Sequence, residues 1–278
     1  MDRLVSTDWL AQHHKDTDLV VLDATMHLPD SGRDARAEFL AAHIPGARFL
    51  DLASLIDESS KVPKALPTAE QFAARMGSLG IVPSSRVVLY DDSAIKSASR
   101  AWFIFDHYGM DQVAILDGGL AKWQAEGRET SDGDEAYYAV DYPVPTPRRS
   151  VRSKADMLAN CATREEQVVD ARDTARFAGA PDSGSEGHIP DAANLHFPRL
   201  FREDGTWKDT PALRSEFAEA GLDLDRPVVA SCNSGMTACV LLFGMGLAGK
   251  NDAALYDGSW MEWGSDPATP KESGAHGE

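Results

Sequence analysis

The sequence predicts an α/β protein of two tandem domains, each built on a central, mostly parallel sheet flanked by helices. Two observations carry this prediction. A set of four motifs occurs twice along the chain, and within each copy short β-branched runs alternate with helical stretches. A chain of 278 residues is also long enough for two domains of ordinary size.

The internal repeat consists of four motifs that keep their order. In the first half they are residues 20–24 (VVLDA), 43–47 (HIPGA), 87–91 (VVLYD) and 117–119 (DGG). In the second half they are residues 168–172 (VVDAR), 188–192 (HIPDA), 228–232 (VVASC) and 257–259 (DGS). The offset is about 140 residues throughout, which indicates a duplication. It predicts one domain over residues 1–127 and a second over residues 151–278.

Strands and helices follow from local patterns. Continuous apolar runs are typical of buried parallel strands, and they occur at residues 20–23, 87–90, 113–116, 168–170, 228–231 and 253–256. Thr68 followed by Gln71 predicts a helix start with a capping box. Thr210 with Pro211, and Gly221 ten residues later, predict the start and end of another helix.

Residues 128–150 separate the two copies. This segment contains Pro143, Pro145 and Pro147 and has little apolar periodicity. Alternating prolines favour an extended and semi-rigid chain, so we predict a linker here.

Composition and charge exclude several classes of protein. The formal net charge of -17 disfavours binding to nucleic acid or to an anionic membrane surface. No run of about eighteen apolar residues predicts a membrane span. The first eight residues contain two aspartates and no apolar core, unlike a secretory signal, so we predict a cytoplasmic location.

The three cysteines, Cys161, Cys232 and Cys239, are widely spaced and form no C-x-x-C pair. Neither a disulfide framework nor a zinc site fits this spacing, and we expect no metal and no organic cofactor. A reducing compartment would keep the thiols free for chemistry.

Cys232 stands where chemistry is expected in a parallel α/β sheet. A predicted strand ends at Ser231, and a helix-competent run extends from Ala238 to about Leu247. The loop between them contains Cys232, Asn233, Ser234, Gly235, Met236 and Thr237. Its backbone N–H groups and the helix dipole favour an anion, so we predict a reactive thiolate at Cys232. Gly235 would let the N–H groups turn toward the sulfur, and Thr237 would donate a hydroxyl and cap the helix.

Two other uses of such a cysteine fit less well. Cysteine phosphatases need an arginine about six residues after the nucleophile to bind phosphate, and here that residue is Ala238. A papain-like protease needs a histidine base, for which His188 and His43 exist, but the fold signals do not match. The short loop suits sulfur better than phosphate.

The repeated motifs, the Cys232 loop and the closing residues 256–260 (YDGSW) resemble the rhodanese superfamily over nearly the whole chain. The resemblance implies a sulfurtransferase that forms a persulfide on Cys232, with an inactive first domain in which Asp91 (or Asp92) replaces the cysteine. The loop is similar to the 3-mercaptopyruvate type, with Asn233 replacing a glycine. It lacks the Arg and Lys that are typical of thiosulfate enzymes.

The resemblance also implies residues that bind the donor. Arg176 matches the first of two arginines that contact the donor's carboxylate and ketone. The second would fall near Asp182, where none exists, so either another cation, such as Arg172 or Arg48, takes over or the donor differs. The resemblance places His43 facing the active loop, where His43, Asp34 and Ser234 would form a proton relay. The competing interpretation is that His43 and His188 only fix their turns.

The implied reaction takes sulfur from a small anionic donor, 3-mercaptopyruvate, to a thiol acceptor such as thioredoxin, or to cyanide. Two alternatives to this reaction remain open at this point. One is a thiosulfate:cyanide sulfurtransferase, and the other is a non-catalytic rhodanese module that carries sulfur or binds a partner.

Overall fold

The computed structural model of the chain describes residues 1–134 and 136–274. It divides into two compact units. The first contains Met1–Asp57, Leu66–Arg148 and the short segment Glu203–Trp207. The second contains Glu58–Ala65, Arg149–Arg202 and the chain from Lys208 onward.

The first unit has a five-stranded sheet in the order β1-β5-β4-β2-β3, in which every pair of neighbours is parallel. Its strands are β1 (Leu4–Val5), β2 (Leu19–Asp23), β3 (Arg48–Phe49), β4 (Arg86–Tyr90) and β5 (Val113–Leu116). Its helices are α1 (Thr7–His13), α2 (Ala35–Ala41), α3 (Ala69–Ser78), α4 (Ala98–His107) and α5 (Gly119–Ala125).

The second unit repeats this arrangement with the strand order β6-β10-β9-β7-β8, again all parallel. Its strands are β6 (Val151–Arg152), β7 (Gln167–Asp170), β8 (Ala193–Asn194), β9 (Val228–Ser231) and β10 (Ala254–Tyr256). Its helices are α6 (Lys154–Thr163), α7 (Thr174–Ala178), α8 (Thr210–Glu219), α9 (Ala238–Leu247) and α10 (Ser259–Trp263). The predicted fold class and the duplication are therefore confirmed.

The register of the central strands is the same in both units. Asp23 lies opposite Tyr90 in the first sheet, and Asp170 lies opposite Ser231 in the second. Since these are the last residues of their strands, the loops that follow leave from the same edge of each sheet.

Helices α4 and α9 follow the central strands β4 and β9, and both are buried on nearly all sides. Every residue of α9 from Ala238 to Met245 is buried, including the large side chains of Leu242 and Phe243. A helix that is apolar all round belongs in a core rather than on a surface. Because α9 is enclosed, the loop that leads into it has a fixed end.

The segment predicted as a linker is not a separate connection in the structure. Apart from residue 135, which lies outside the described residues, it belongs to the first unit as far as Arg148. The Val140 N–H donates to the Gly77 carbonyl at 3.0 Å. A Cβ added to Gly77 would lie 2.5 Å from the Val140 oxygen, so the chain packs directly on α3. Backbone hydrogen bonding, which the proline pattern does not reveal, holds it there.

Asp23 gives the first unit a testable pH dependence. The side chain is almost fully buried, and burial raises the pKa of this carboxyl to about 6. The unfolded chain releases this proton near pH 4, whereas the folded protein holds it to about pH 6. Asp23 therefore costs stability as the pH rises through this window. Between pH 4 and pH 7 the wild type should therefore lose about 2 kcal/mol of unfolding free energy that the Asp23→Asn variant does not lose.

Chemical denaturation of the wild type and the variant at the two pH values measures this difference. Asp132→Asn serves as a control because Asp132 is exposed. An equal pH dependence in Asp23→Asn and in the wild type would contradict the assignment.

Candidate active site

The loop that carries Cys232 connects the central strand of the second sheet to its enclosed helix. β9 ends at Ser231 and α9 begins at Ala238, as the sequence predicts. Cys232 is about 1% exposed, and Ser234 is also buried, whereas Asn233 is exposed. The thiol is thus enclosed in a polar loop, and the Asn233 side chain faces solvent.

The carbonyl groups at the start of the loop are bound by the beginning of α10. The Trp260 N–H donates to the Cys232 oxygen at 3.0 Å, and the Met261 N–H donates to the Asn233 oxygen at 2.8 Å. Gly235 has a φ of 71°, a backbone conformation that favours glycine. The carbonyls of the loop therefore point toward α10.

Ser259 binds the same loop through its side chain. Its Oγ accepts hydrogen bonds from the N–H groups of Cys232 and Gly235, both at 3.1 Å. The same hydroxyl donates to the Tyr256 oxygen at 2.8 Å. Sequence reasoning gave Ser259 no role. The signal that could have revealed it is the difference between DGS here and DGG in the first copy.

One detail of the expected loop geometry was wrong. The Thr237 side chain makes no capping bond to α9, although Thr237 occupies the cap position. The Gly235 N–H donates to Ser259. In the described part of the chain, the N–H groups of Asn233, Ser234, Met236 and Thr237 meet no acceptor. These four groups and the Thr237 hydroxyl are the donors that remain for an anion.

The other two cysteines have different environments. Cys239 is fully buried in α9, and its thiol donates to the Gly235 oxygen at 3.2 Å. Cys161 is partly exposed on α6, and burial raises the pKa of its thiol. All three cysteines are free thiols. Cys239 therefore supports the Cys232 loop. Cys161 lies on α6, which is not connected to that loop.

Arg176 lies on the same edge of the second sheet as Cys232. It is on α7, which follows β7, and β7 pairs in parallel with β9. Its Nε donates to the Asp173 carboxylate at 2.5 Å, and its side chain is about 42% exposed. The remaining guanidinium nitrogens of this accessible cation can donate to a carboxylate.

Arg172 does not replace the missing second arginine. It is about 1% exposed and forms a buried ion pair with Asp170 at 2.6 Å. Its other nitrogens donate to the Ser185 hydroxyl and the Gly187 oxygen, and its guanidinium lies 4.5 Å from the Trp260 ring centroid. Every nitrogen of the group already has an acceptor, so Arg172 is structural.

Arg48 is also unsuited to this task. It belongs to the first unit, donates to the Leu79 oxygen and lies 4.8 Å from the Tyr137 ring centroid. Burial lowers the pKa of its guanidinium. Asp182, at the position of the missing arginine, is exposed in the turn after α7. The sequence expectation that Arg172 or Arg48 supplies a second cation is therefore wrong.

His43 and His188 have the same environment in the two units. Each is buried, and Nδ1 of each lies 2.8 Å from a backbone oxygen, that of Phe39 or of Phe177. Each ring stacks on the same phenylalanine, at centroid distances of 4.1 and 3.7 Å. Burial also lowers the pKa of His188. These shared contacts favour a structural role for both histidines.

Asp34 caps α2 in the first unit. Its carboxylate accepts hydrogen bonds from the N–H groups of Arg36 and Ala37, at 3.0 and 3.1 Å. The side chain is exposed and is used by the helix start. These contacts account for Asp34 without a relay to His43.

In the first unit, Asp91 occupies the position that corresponds to Cys232. Its carboxylate is buried and accepts hydrogen bonds from the N–H groups of Ser93 (3.0 Å) and Ala98 (2.7 Å). Burial raises the pKa of this carboxyl. The backbone donors of this loop are thus bound by the protein's own side chain, and no cysteine is present in this half of the chain.

Within residues 1–134 and 136–274, no cluster of three or more His, Cys, Asp or Glu side chains could hold a metal ion. Within the same ranges, no helix is both long enough and apolar enough to span a bilayer.

Comparison with known proteins identifies the family. The model of the rhodanese-like domain matches the chain twice, at residues 6–126 and 153–266. The chain therefore belongs to the rhodanese-like family, with two tandem copies of its domain.

The chain aligns with three curated relatives over nearly their whole length. The chain is 39% identical to mouse 3-mercaptopyruvate sulfurtransferase over 270 residues, covering 94% of this chain and 91% of that protein. It is 36% identical to the Escherichia coli K12 protein of the same name over 273 residues, covering 96% and 97%. It is also 36% identical to chicken thiosulfate sulfurtransferase over 269 residues, covering 94% and 92%.

A solved structure matches over both units. The crystal structure of SseA from Escherichia coli, described as a 3-mercaptopyruvate sulfotransferase with the rhodanese fold, superposes with a TM-score of 0.86. Sequence identity is 35%, and the match covers 94% of this chain and 99% of SseA.

Proposed function

We propose that this protein is a sulfurtransferase that takes sulfur from 3-mercaptopyruvate and passes it on through a persulfide on Cys232. The observation that supports this most is the enclosed Cys232 loop, in which four backbone N–H groups have no acceptor in the described residues. Such a set of donors stabilises a sulfur anion before and after transfer. The names of the full-length relatives support the same class of reaction.

In the first half-reaction the Cys232 thiolate attacks the sulfur of 3-mercaptopyruvate. A sulfur–sulfur bond forms, the carbon–sulfur bond breaks, and its electron pair leaves on carbon as the enolate of pyruvate. The proton of the donor thiol then moves from the new persulfide to that carbon. Pyruvate departs, and a persulfide anion remains in the loop. Ser234 and Thr237 supply hydroxyl groups beside it, and Gly235 and Met236 shape the wall around it.

In the second half-reaction an acceptor removes the outer sulfur. Cyanide attacks that sulfur, leaves as thiocyanate and regenerates the Cys232 thiolate. A thiol acceptor such as thioredoxin would carry the sulfur away as its own persulfide and release it on forming a disulfide. The residues involved need neither a metal nor an organic cofactor for these steps.

Arg176 is the residue that would bind the donor's carboxylate, because it is an accessible cation on the edge where β9 ends. Replacing Arg176 with Met should lower kcat/KM for 3-mercaptopyruvate by about 10- to 100-fold. A charged hydrogen bond to a carboxylate contributes about 1.5–3 kcal/mol, which corresponds to that factor.

Steady-state kinetics measures this effect. Arg164→Met is the matched control, since Arg164 is an exposed arginine of the same unit and pairs with Asp191. Removal of sulfur by cyanide from enzyme loaded beforehand should stay unchanged, because no donor is bound in that step. Equal kcat/KM values for Arg176→Met and Arg164→Met would mean that Arg176 does not bind the donor.

The choice of donor is tested by comparing 3-mercaptopyruvate with thiosulfate, with thiocyanate formation from cyanide as the readout. The loop has no Arg or Lys to bind a dianion. We expect 3-mercaptopyruvate to be preferred by at least about tenfold in kcat/KM. The similarity to chicken thiosulfate sulfurtransferase makes thiosulfate the second candidate. A preference for thiosulfate would identify the protein as a thiosulfate sulfurtransferase. No turnover with either donor would favour a non-catalytic sulfur carrier.

Two further expectations accompany this proposal. The three free thiols favour a reducing, cytoplasmic location, which fractionation of cells would test. The first unit would be catalytically silent, since Asp91 takes the place of the nucleophile.

A further inference from the structure

Ser259 has an unusual backbone conformation for a fully buried residue. Its φ is 49°, a region that L-residues other than Asn and Asp rarely adopt, and it is 0% exposed. The corresponding residue of the first unit is Gly119, with a φ of 60°. The turn therefore keeps a left-handed conformation in both units, yet only the second unit places a side chain there.

The two turns differ in how closely the preceding loop approaches them. In the first unit, a Cβ added to Gly119 would lie 2.3 Å from the Asp91 oxygen, so the loop occupies the space of a side chain. In the second unit, the Cβ and Oγ of Ser259 fill that space. The turn of the active copy thus accommodates a side chain and still binds its loop, since the Trp260 N–H donates to the Cys232 oxygen at 3.0 Å, against 3.3 Å from the Leu120 N–H to the Asp91 oxygen in the first unit.

The hydroxyl of Ser259 is fully used. It accepts from the N–H groups of Cys232 and Gly235 and donates its proton to the Tyr256 oxygen. Since this proton is directed at Tyr256, the lone pairs face the loop. Both ends of the tetrapeptide 232–235 are thereby fixed to one oxygen atom.

We infer that Ser259 is a positioning residue for sulfur transfer, whose hydroxyl fixes both ends of the Cys232 loop so that its other N–H groups face the sulfur. This inference rests on the proposed function and deepens it. By binding the N–H groups at both ends of the tetrapeptide, Ser259 leaves those of Asn233, Ser234, Met236 and Thr237 as donors. In the first unit Gly119 has no side chain to do this, and a carboxylate fills the loop instead.

The test uses two variants that both lack the hydroxyl but differ in backbone strain. Ser259→Ala removes the hydroxyl and keeps a Cβ at positive φ, whereas Ser259→Gly removes the hydroxyl and relieves the strain. Both should slow the single-turnover loading of sulfur onto Cys232 by about 10- to 100-fold, because a loop displaced by a fraction of an ångström misplaces the donors. The KM for 3-mercaptopyruvate should change less than kcat, since Arg176 is untouched.

The control is Ser265→Ala, because Ser265 is exposed just after α10 and its hydroxyl donates to the Glu262 oxygen. It should load sulfur at the wild-type rate. The melting temperature of Ser259→Gly should equal or exceed that of Ser259→Ala, while both remain slow. Wild-type loading in Ser259→Gly, or a loss in KM alone, would show that Ser259 serves stability only. If the wild type itself accepts no sulfur, the proposed function fails instead.

Discussion

Replacing Cys232 with Ser is expected to abolish sulfur transfer, lowering kcat with 3-mercaptopyruvate by at least about 1000-fold. A serine hydroxyl cannot ionise near neutral pH, and it forms no stable bond to a second sulfur. The substitution changes one buried atom, so the melting temperature should fall by only a few degrees.

Cys161→Ser is the matched control, because Cys161 lies on α6 rather than in the loop. It should retain wild-type activity. Thiocyanate formation and a thermal melt on the three proteins give both readouts. Substantial turnover in a folded Cys232→Ser protein would mean that the sulfur is carried elsewhere.

Replacing Arg172 with Met should destabilise the second unit by about 3–5 kcal/mol, because it leaves the Asp170 carboxylate buried without its partner. It also removes the guanidinium from the ring of Trp260, the residue whose backbone N–H donates to the Cys232 oxygen. The loss of stability should therefore be accompanied by slower sulfur loading.

The control is Arg164→Met in the same unit. Arg164 is about 70% exposed and pairs with the exposed Asp191 at 3.0 Å, so its replacement should cost less than about 1 kcal/mol. Calorimetric unfolding compares the two variants. Equal losses would contradict the assignment of Arg172 as a buried structural cation.

The sequence predicted the central elements well, for physical reasons. β5, β9 and α9 have the predicted bounds because each is a nearly continuous apolar run. The capping box of Thr68 and Gln71 is local, and it forms as predicted. The edge strands β1, β3, β6 and β8 were not predicted, since each has two residues and exists only through its neighbour.

The active loop shows where local reasoning ends. Strand end, glycine and helix start are adjacent in the sequence, so the position of Cys232 could be predicted. The destination of the Gly235 N–H could not, because its acceptor is Ser259, 24 residues later. Likewise, Arg172 and Asp170 are only two residues apart, but the Arg172 guanidinium also donates to the Gly187 oxygen, which lies 15 residues later. Contacts between distant segments therefore decide which of the candidate arginines remains available to bind a donor.

The most direct test of the central claim is the intact mass of the protein before and after exposure to 3-mercaptopyruvate. We expect a gain of about 32 Da on the wild type, located to the peptide that contains Cys232 and removed by cyanide. Cys161→Ser should gain the same mass, and Cys232→Ser should gain none. A wild-type protein whose mass stays unchanged, or a gain that persists in Cys232→Ser, would contradict a persulfide carried by this loop.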